Sequence, residues 1–199
     1  MVQTGIVILA AGSSSRLGKP KQLLAIGGKT LLQRVCDAAI AAQLTPIIVV
    51  LGANSDKILM QDNDNRVAFV VNENWEQGMS SSIIAGLKAI TIHEIQIQNL
   101  IISVCDQPYI SSDLFASLIK KQNETKKGII ASEYGGINGT PVLFAHKYFN
   151  DLMRLTGENG AKGLIRSHAT DLATVKFELG NIDIDTEGDY QALLNKQHD

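Results

Sequence analysis

Cysteine is scarce in this chain: 199 residues hold two, Cys36 and Cys105, far apart in sequence. That excludes a disulfide-stapled secreted scaffold and leads us to expect a reduced, cytoplasmic protein. An excess of charge of either sign is also missing. Eighteen Lys and Arg against twenty Asp and Glu leave a formal net charge of −2, which gives no reason to expect a nucleic-acid surface. No apolar run approaches the length of a membrane span. The start, MVQTGIVILAAG, lacks a basic region before its apolar residues, so no signal peptide is expected. The four histidines, His93, His146, His168 and His198, are scattered without zinc spacing and are expected at the surface or at helix ends. Internal repeats and low-complexity linkers are absent. What remains is an ordinary globular composition, 45% hydrophobic, long enough for one cored domain over residues 1–199 and short for two.

The richest stretch runs from Leu9 to Lys21, LAAGSSSRLGKPK. It follows Ile6-Val7-Ile8-Leu9, which reads as a buried parallel strand. Small residues from Ala10 to Ser15 let backbone amides approach a ligand, and Arg16, Lys19 and Lys21 then bring three cations with almost nothing acidic nearby. A strand end, a small-residue loop and cations together make a phosphate cradle. The alternative is an ordinary turn with solvated cations. The stretch is not a P-loop, because Gly12 to Gly18 is one residue too long and Pro20 stands where a hydroxyl is needed. No G-x-G-x-x-G follows the strand either. The expected form is a loop that wraps phosphates and brings Lys21 back toward them.

Strands and helices alternate through most of the rest. Thr30 is placed to cap a helix carrying Leu31, Leu32, Val35, Ala38, Ala39 and Ala42. Ile47 to Leu51 reads as a strand, after which Asn54 is either a ligand contact at a strand end or a helix cap. Val67 to Val71 is a third strand. It leads through Asn72 and Trp75 to Gly78 and to Ser80, Ser81 and Ser82, which either cap the next helix or turn hydroxyls and amides toward a ribose or phosphate. Asn99 to Val104 ends in Cys105-Asp106-Gln107-Pro108. There Asp106 is either a metal ligand held just past a strand or a turn-initiating residue. Ser111 or Ser112 opens a helix from Leu114 to Lys121. Gly128 to Ser132 is read as a strand, Tyr134 to Pro141 as a glycine-rich loop, and Val142 to Phe144 as a strand. Near the end, Asp183 and Asp185 face the same way if extended. Thr186 to Asp189 has capping-box spacing before a helix from Tyr190 to Lys196. This alternation predicts one α/β domain with a mainly parallel sheet.

The opening LAAGSSSRLGKPKQLL resembles the signature L-A-A-G-x-S-x-R-x-G-x-x-K of the molybdenum cofactor cytidylyltransferases, within the sugar-nucleotidyltransferase-like superfamily. The Gly78-Met79 to Ser82 segment is similar to G-M-x-x-S, and Cys105 to Pro108 to C-D-Q-P. Gly139-Thr140-Pro141 is similar to G-x-P, with Thr where His is frequent. Gly157 to Lys162 is similar to G-D-x-G-A-R, with Glu158 and Lys162 as like-charge replacements. Asp183 to Asp189 is similar to D-x-D-T-x-x-D. The resemblance implies a Rossmann-like three-layer domain of the nucleotide-diphospho-sugar transferase type, moving CMP from CTP to the terminal phosphate of molybdopterin and releasing pyrophosphate. It implies Mg²⁺ on Asp106 and Asp185, with Asp183 a weaker second choice, and charge stabilisation by Arg16 and Lys21. The nucleotide would meet Leu9, Ala10, Ala11, Gly12, Ser13, Ser14, Asn54, Asn72, Gly78, Ser81 and Ser82. A molybdoenzyme or its cofactor-insertion chaperone is the partner implied beyond the acceptor. Two other readings stay open: another phosphorylated acceptor such as a sugar phosphate, and a nucleotide- or cofactor-binding protein without turnover.

Overall fold

β1 (Thr4–Ala10) is buried along its whole length, as an unbroken apolar run requires of a central parallel strand. The structure, a computed structural model, describes residues 3–60, 64–92 and 96–195. His93, Lys196 and His198 lie outside the described residues. After β1 come an irregular loop, the short ribbon of β2 (Ala25–Ile26) and β3 (Lys29–Thr30), and α1 (Leu31–Ala41). Next are β4 (Ile47–Leu51), α2 (Ser55–Leu59), β5 (Val67–Val71), α3 (Met79–Ile92), β6 (Asn99–Val104) and α4 (Ser112–Thr125). The chain ends through β7 (Ile129–Tyr134), β8 (Ile137–Ala145), α5 (Phe149–Leu152), α6 (Lys162–Ser167), β9 (Leu172–Lys176) and α7 (Glu187–Asn195).

Seven strands form one sheet in the order β5-β4-β1-β6-β8-β7-β9. Every pairing is parallel except the two made by β8. Alternate residues of β1 enter opposite layers. Ile6 and Ile8 pack with Leu32 and Val35 of α1 and Phe115 and Leu118 of α4. Val7 and Leu9 pack with Ile83 and Leu87 of α3 and Leu164 and Ile165 of α6. The result is a helix, sheet, helix sandwich built by burial of both sheet faces. Gly86 lets α3 sit low on the sheet, since a Cβ there would come 2.5 Å from Val7 Cγ1.

The expected caps form. Thr30 and Gln33 make a reciprocal capping box on α1, Ser111 rather than Ser112 caps α4, and Thr186 and Asp189 exchange bonds at the start of α7. His146 is exposed after β8, and His168 caps the end of α6. The glycine-rich segment from Tyr134 to Pro141 departs from expectation, being an antiparallel hairpin and not a loop before a strand. Gly135 and Gly136, at φ 55° and 75°, turn the chain, and β8 begins at Ile137. Gly139 does admit a close neighbour, but that neighbour is the Tyr134 ring. Among the described residues no helix is long and apolar enough to cross a membrane.

Strand order places the site. The chain steps outward from β1 through β4 to β5, then returns to the other side of β1 with β6. The C-terminal ends of β1 and β6 therefore flank a switch point, where open α/β sheets bind ligands.

Candidate active site

The loop that leaves β1 is held by buried Gln22. Its amide Nε2 donates to the carbonyls of Ala10 at 2.7 Å and Gly12 at 3.1 Å. Two carbonyls pulled inward leave Gly12 and Ser13 exposed at the surface. Ser14, at φ 55°, accepts the backbone N–H of Lys21 on its hydroxyl at 3.1 Å, which folds the loop back as the sequence predicts. Farther out, Lys19 pairs with Glu187 at 2.8 Å and lies over the Tyr190 ring, pinning the loop to α7.

Lys21 enters the site beneath this loop. Its ammonium donates to Asp106 Oδ2 at 2.6 Å and to Asp185 Oδ1 at 3.1 Å. Arg16 donates to the other oxygen of Asp185 at 2.7 Å. The two aspartates expected to meet thus do meet, on the lysine expected beside them. Burial works against the charge of Lys21, but the charge and hydrogen bond of Asp106 and the bond to Asp185 raise its pKa well above the usual lysine value. The ammonium is a fixed positive charge and no general base. Burial likewise pulls Asp185 upward, yet Lys21 and Arg16 outweigh it and hold that carboxyl below its ordinary range. Burial pushes the Cys105 thiol up to about 12, so it is no nucleophile at neutral pH.

Two backbone contacts explain the meeting. Gln107, buried, donates through Nε2 to the carbonyl of Gly180 at 2.7 Å, and the Ile184 amide donates to the carbonyl of Asp106 at 3.1 Å. The segment before α7 is therefore stitched to the turn after β6. Ile184 is fully buried with Leu24, Leu31 and Leu193, which turns its neighbours Asp183 and Asp185 to the opposite side.

Among the described residues no group of three or more His, Cys, Asp and Glu side chains is placed to hold a metal ion. Asp106 and Asp185 bring two carboxylates to one place. Because both reach one ammonium, their oxygens are no farther apart than those two short bonds laid end to end. Such a donor set fits a hard divalent cation, which takes one or two carboxylates and completes its shell with phosphates and water.

The nucleotide candidates divide between two places. Ala10, Ala11, Gly12, Ser13 and Ser14 follow Leu9 into the loop just described. Asn54 starts α2 in the left-handed conformation at φ 64° without a side-chain capping bond. The adjacent Ala53 amide donates to Ala11 at 3.1 Å, so this turn borders the loop. Asn72 is buried, donates to the hydroxyls of Ser81 and Ser82 at 2.8 and 3.0 Å, and accepts from the Asn74 amide. Gly78, at φ 96°, brings the start of α3 against Gly157 and Glu158. These four residues tie β5, α3 and the loop before α6 together, and none of them contacts the Lys21 centre directly.

A cavity of about 220 Å³ opens beside Asp106. Its polar lining includes Gln107, Thr140, Asn159, Lys162 and Asp183, and Met79 and Ile137 stand at its walls. Desolvation, then the charges of Asp106 and Asp185, push Asp183 up to about 6 against the pull of Lys21 and Lys162. Sequence reasoning missed Gln22 and Gln107 as positioning residues. Their adjacency to Lys21 and Asp106 was the available signal, but a lone glutamine states no partner.

Relatives share this frame. Nicotine blue oxidoreductase of Paenarthrobacter nicotinovorans is 28% identical over 94% of this chain and 95% of its own. The molybdenum cofactor cytidylyltransferase of Escherichia coli K12 is 26% identical over 92% of each. The crystal structure of Rv0371c from Mycobacterium tuberculosis H37Rv superposes with a TM-score of 0.82 at 26% identity, covering 98% of both chains. A complex of that protein with manganese superposes at 0.76 and 25% identity, covering 98% of this chain and 99% of the other. The family model of the MobA-like NTP transferase domain matches residues 6–172. That span takes in the loop after β1, Lys21 and the turn carrying Asp106, and on it the chain belongs to the MobA-like NTP transferase domain family.

Proposed function

We propose that this protein is a cytoplasmic, Mg²⁺-dependent cytidylyltransferase that moves CMP from CTP to the terminal phosphate of molybdopterin. The observation that carries the reading is the convergence of Asp106 and Asp185 on Lys21 beneath the small-residue loop after β1. The relative named molybdenum cofactor cytidylyltransferase supports the acceptor, and the manganese complex of a neighbour supports a divalent ion.

Mg²⁺ held by Asp106 and Asp185 would supply charge neutralisation at the triphosphate. The loop from Ala10 to Ser14 receives the phosphates on its backbone, and Asn54, Asn72, Gly78, Ser81 and Ser82 shape the nucleoside side. Lys21 and Arg16 offset the negative charge of the transferring group and of pyrophosphate. An oxygen of the acceptor phosphate bonds to the α-phosphorus as the bond to the bridging oxygen breaks, and pyrophosphate leaves with that electron pair. A phosphate monoester has a second pKa of about 6, so the nucleophile is already ionised and no general base is needed. The residues contribute position and charge.

The test mixes the protein with Mg²⁺, CTP and molybdopterin and follows pyrophosphate and the cytidylated product. Release with a sugar phosphate in place of molybdopterin would change the acceptor. Nucleotide binding without release would make this a binding protein. A redox change of added nicotine blue without pyrophosphate release would favour the activity named for the Paenarthrobacter relative. Thermal stabilisation by CTP above that by GTP checks the base.

A further inference from the structure

The cavity beside Asp106 does not end at Ile137. Ile137, Lys162 and Ile165 also line a second cavity of about 450 Å³, which continues past the β7 to β8 turn. Its floor is apolar, with Ala169 and Leu172 joining the two isoleucines, and its charged lining side chains are Lys162 and Arg166. No carboxylate lines it. The two cations stand one turn apart on α6, close enough to repel one another. The cations of the loop after β1, Arg16, Lys19 and Lys21, are each paired with a carboxylate. Lys162 and Arg166 make no ion pair among the described residues. Ile137, at the joint between the cavities, is 53% exposed. An apolar floor of four side chains edged by two cations without an ion pair gives this cavity the lining of an anion-binding site.

The distance is set by β8. Thr140 faces Gln107 at 3.5 Å, next to Asp106. Ile137 lies three residues away along β8, at most about 10 Å at roughly 3.4 Å per residue, since the strand is bulged at Thr140. We propose that the acceptor is an elongated bis-anion: one phosphate reacts beside Asp106, an apolar or planar middle crosses Ile137, and a second anionic group sits between Lys162 and Arg166. The proposal rests on the nucleotidyl-transfer reading for the identity of the ligand as acceptor, but the surface it describes can be tested without turnover.

Two probes serve, biphenyl-4-yl phosphate and 4′-carboxybiphenyl-4-yl phosphate, whose second ring carries the carboxylate past Ile137, titrated by calorimetry in the presence of Mg²⁺. The carboxylated probe is expected to bind the wild type about tenfold more tightly, the scale of a charge-assisted pair partly shielded from water. In Arg166→Gln and in Arg166→Gln combined with Lys162→Gln, both at exposed positions, that advantage is expected to disappear. Equal affinity of the two probes for the wild type overturns the proposal, as does an advantage that survives the double variant. If the advantage is found but no pyrophosphate is ever released from CTP, the anion site stands and the proposed reaction falls. If pyrophosphate is released while the probes bind alike, the reaction stands and the second anion site falls.

Discussion

The Ile184 amide donates to the Asp106 carbonyl at 3.1 Å, and this one backbone bond sets the charge pattern of the site. Ile184 is sunk in the small core beneath α7, so the aspartates on either side of it face Asp106 and Lys21. Asp106, Asp183 and Asp185 against the half-buried ammonium of Lys21 and the guanidinium of Arg16 leave one negative charge in excess, which a divalent cation would reverse, giving a triphosphate a positive seat.

Lys21→Ala and Asp106→Asn should each lower turnover at least about a hundredfold, by analogy with removal of one preorganised electrostatic contact. Pyrophosphate release under saturating nucleotide is the measurement. EDTA should stop the wild-type reaction, and added Mg²⁺ or Mn²⁺ should restore it. Wild-type turnover in either variant would remove these residues from the mechanism.

Asp183 should make the fold less stable as pH rises. Its folded pKa of about 6 lies above the ordinary value of 3.8, so the folded state favours the protonated form. The penalty is absent below about 4 and complete above about 6. The side chain reaches solvent, which screens the repulsion. Asp183→Asn should therefore stabilise the protein by about 1 kcal/mol at pH 8 and leave pH 4 unchanged. Urea midpoints at the two pH values read this directly, and a loss of stability at pH 8 would contradict it.

Asp171 should behave with the opposite sign. Partial burial pulls its carboxyl up, but Lys147 and Tyr148, each at 2.7 Å, and the Gly128 amide outweigh that and hold it at about 2. Its contribution is present above about 4 and is lost as pH falls toward 2. A shift of nearly two units corresponds to about 2.5 kcal/mol at full strength, and exposure of Lys147 reduces it to about 1–2 kcal/mol. Asp171→Asn should lose that amount at pH 7 and little at pH 2. Equal losses at both would refute the linkage.

Gln22→Ala should cost about 1–3 kcal/mol, the penalty for leaving a buried carbonyl unpaired. It should also raise the KM for nucleotide more than it lowers kcat, because Gln22 shapes the loop without touching the reacting atoms. Gln22→Glu should not rescue it, since a carboxylate cannot donate to the Ala10 and Gly12 carbonyls. An unchanged KM in both variants would leave the loop held by other contacts.

Residue order along the chain was enough for the parallel core, the helix caps and the loop after β1, and resemblance to two short motifs singled out Asp106 and Asp185, which the fold brings to one lysine. Each is a local pattern: apolar runs, a hydroxyl three residues before its partner amide, a motif with fixed spacing. The hairpin at Gly135 and Gly136 was misread because a glycine pair before an apolar run is compatible with either a loop or a turn, and only pairing with β7 decides. Which carboxylate reaches Lys21, that Gln22 and Gln107 hold the two turns in place, and that Lys162 and Arg166 stand unpaired beside Ile137 were decided by tertiary structure alone. Those relations join residues distant in sequence, and their energies exist only once the sheet has brought the ends of β1 and β6 side by side.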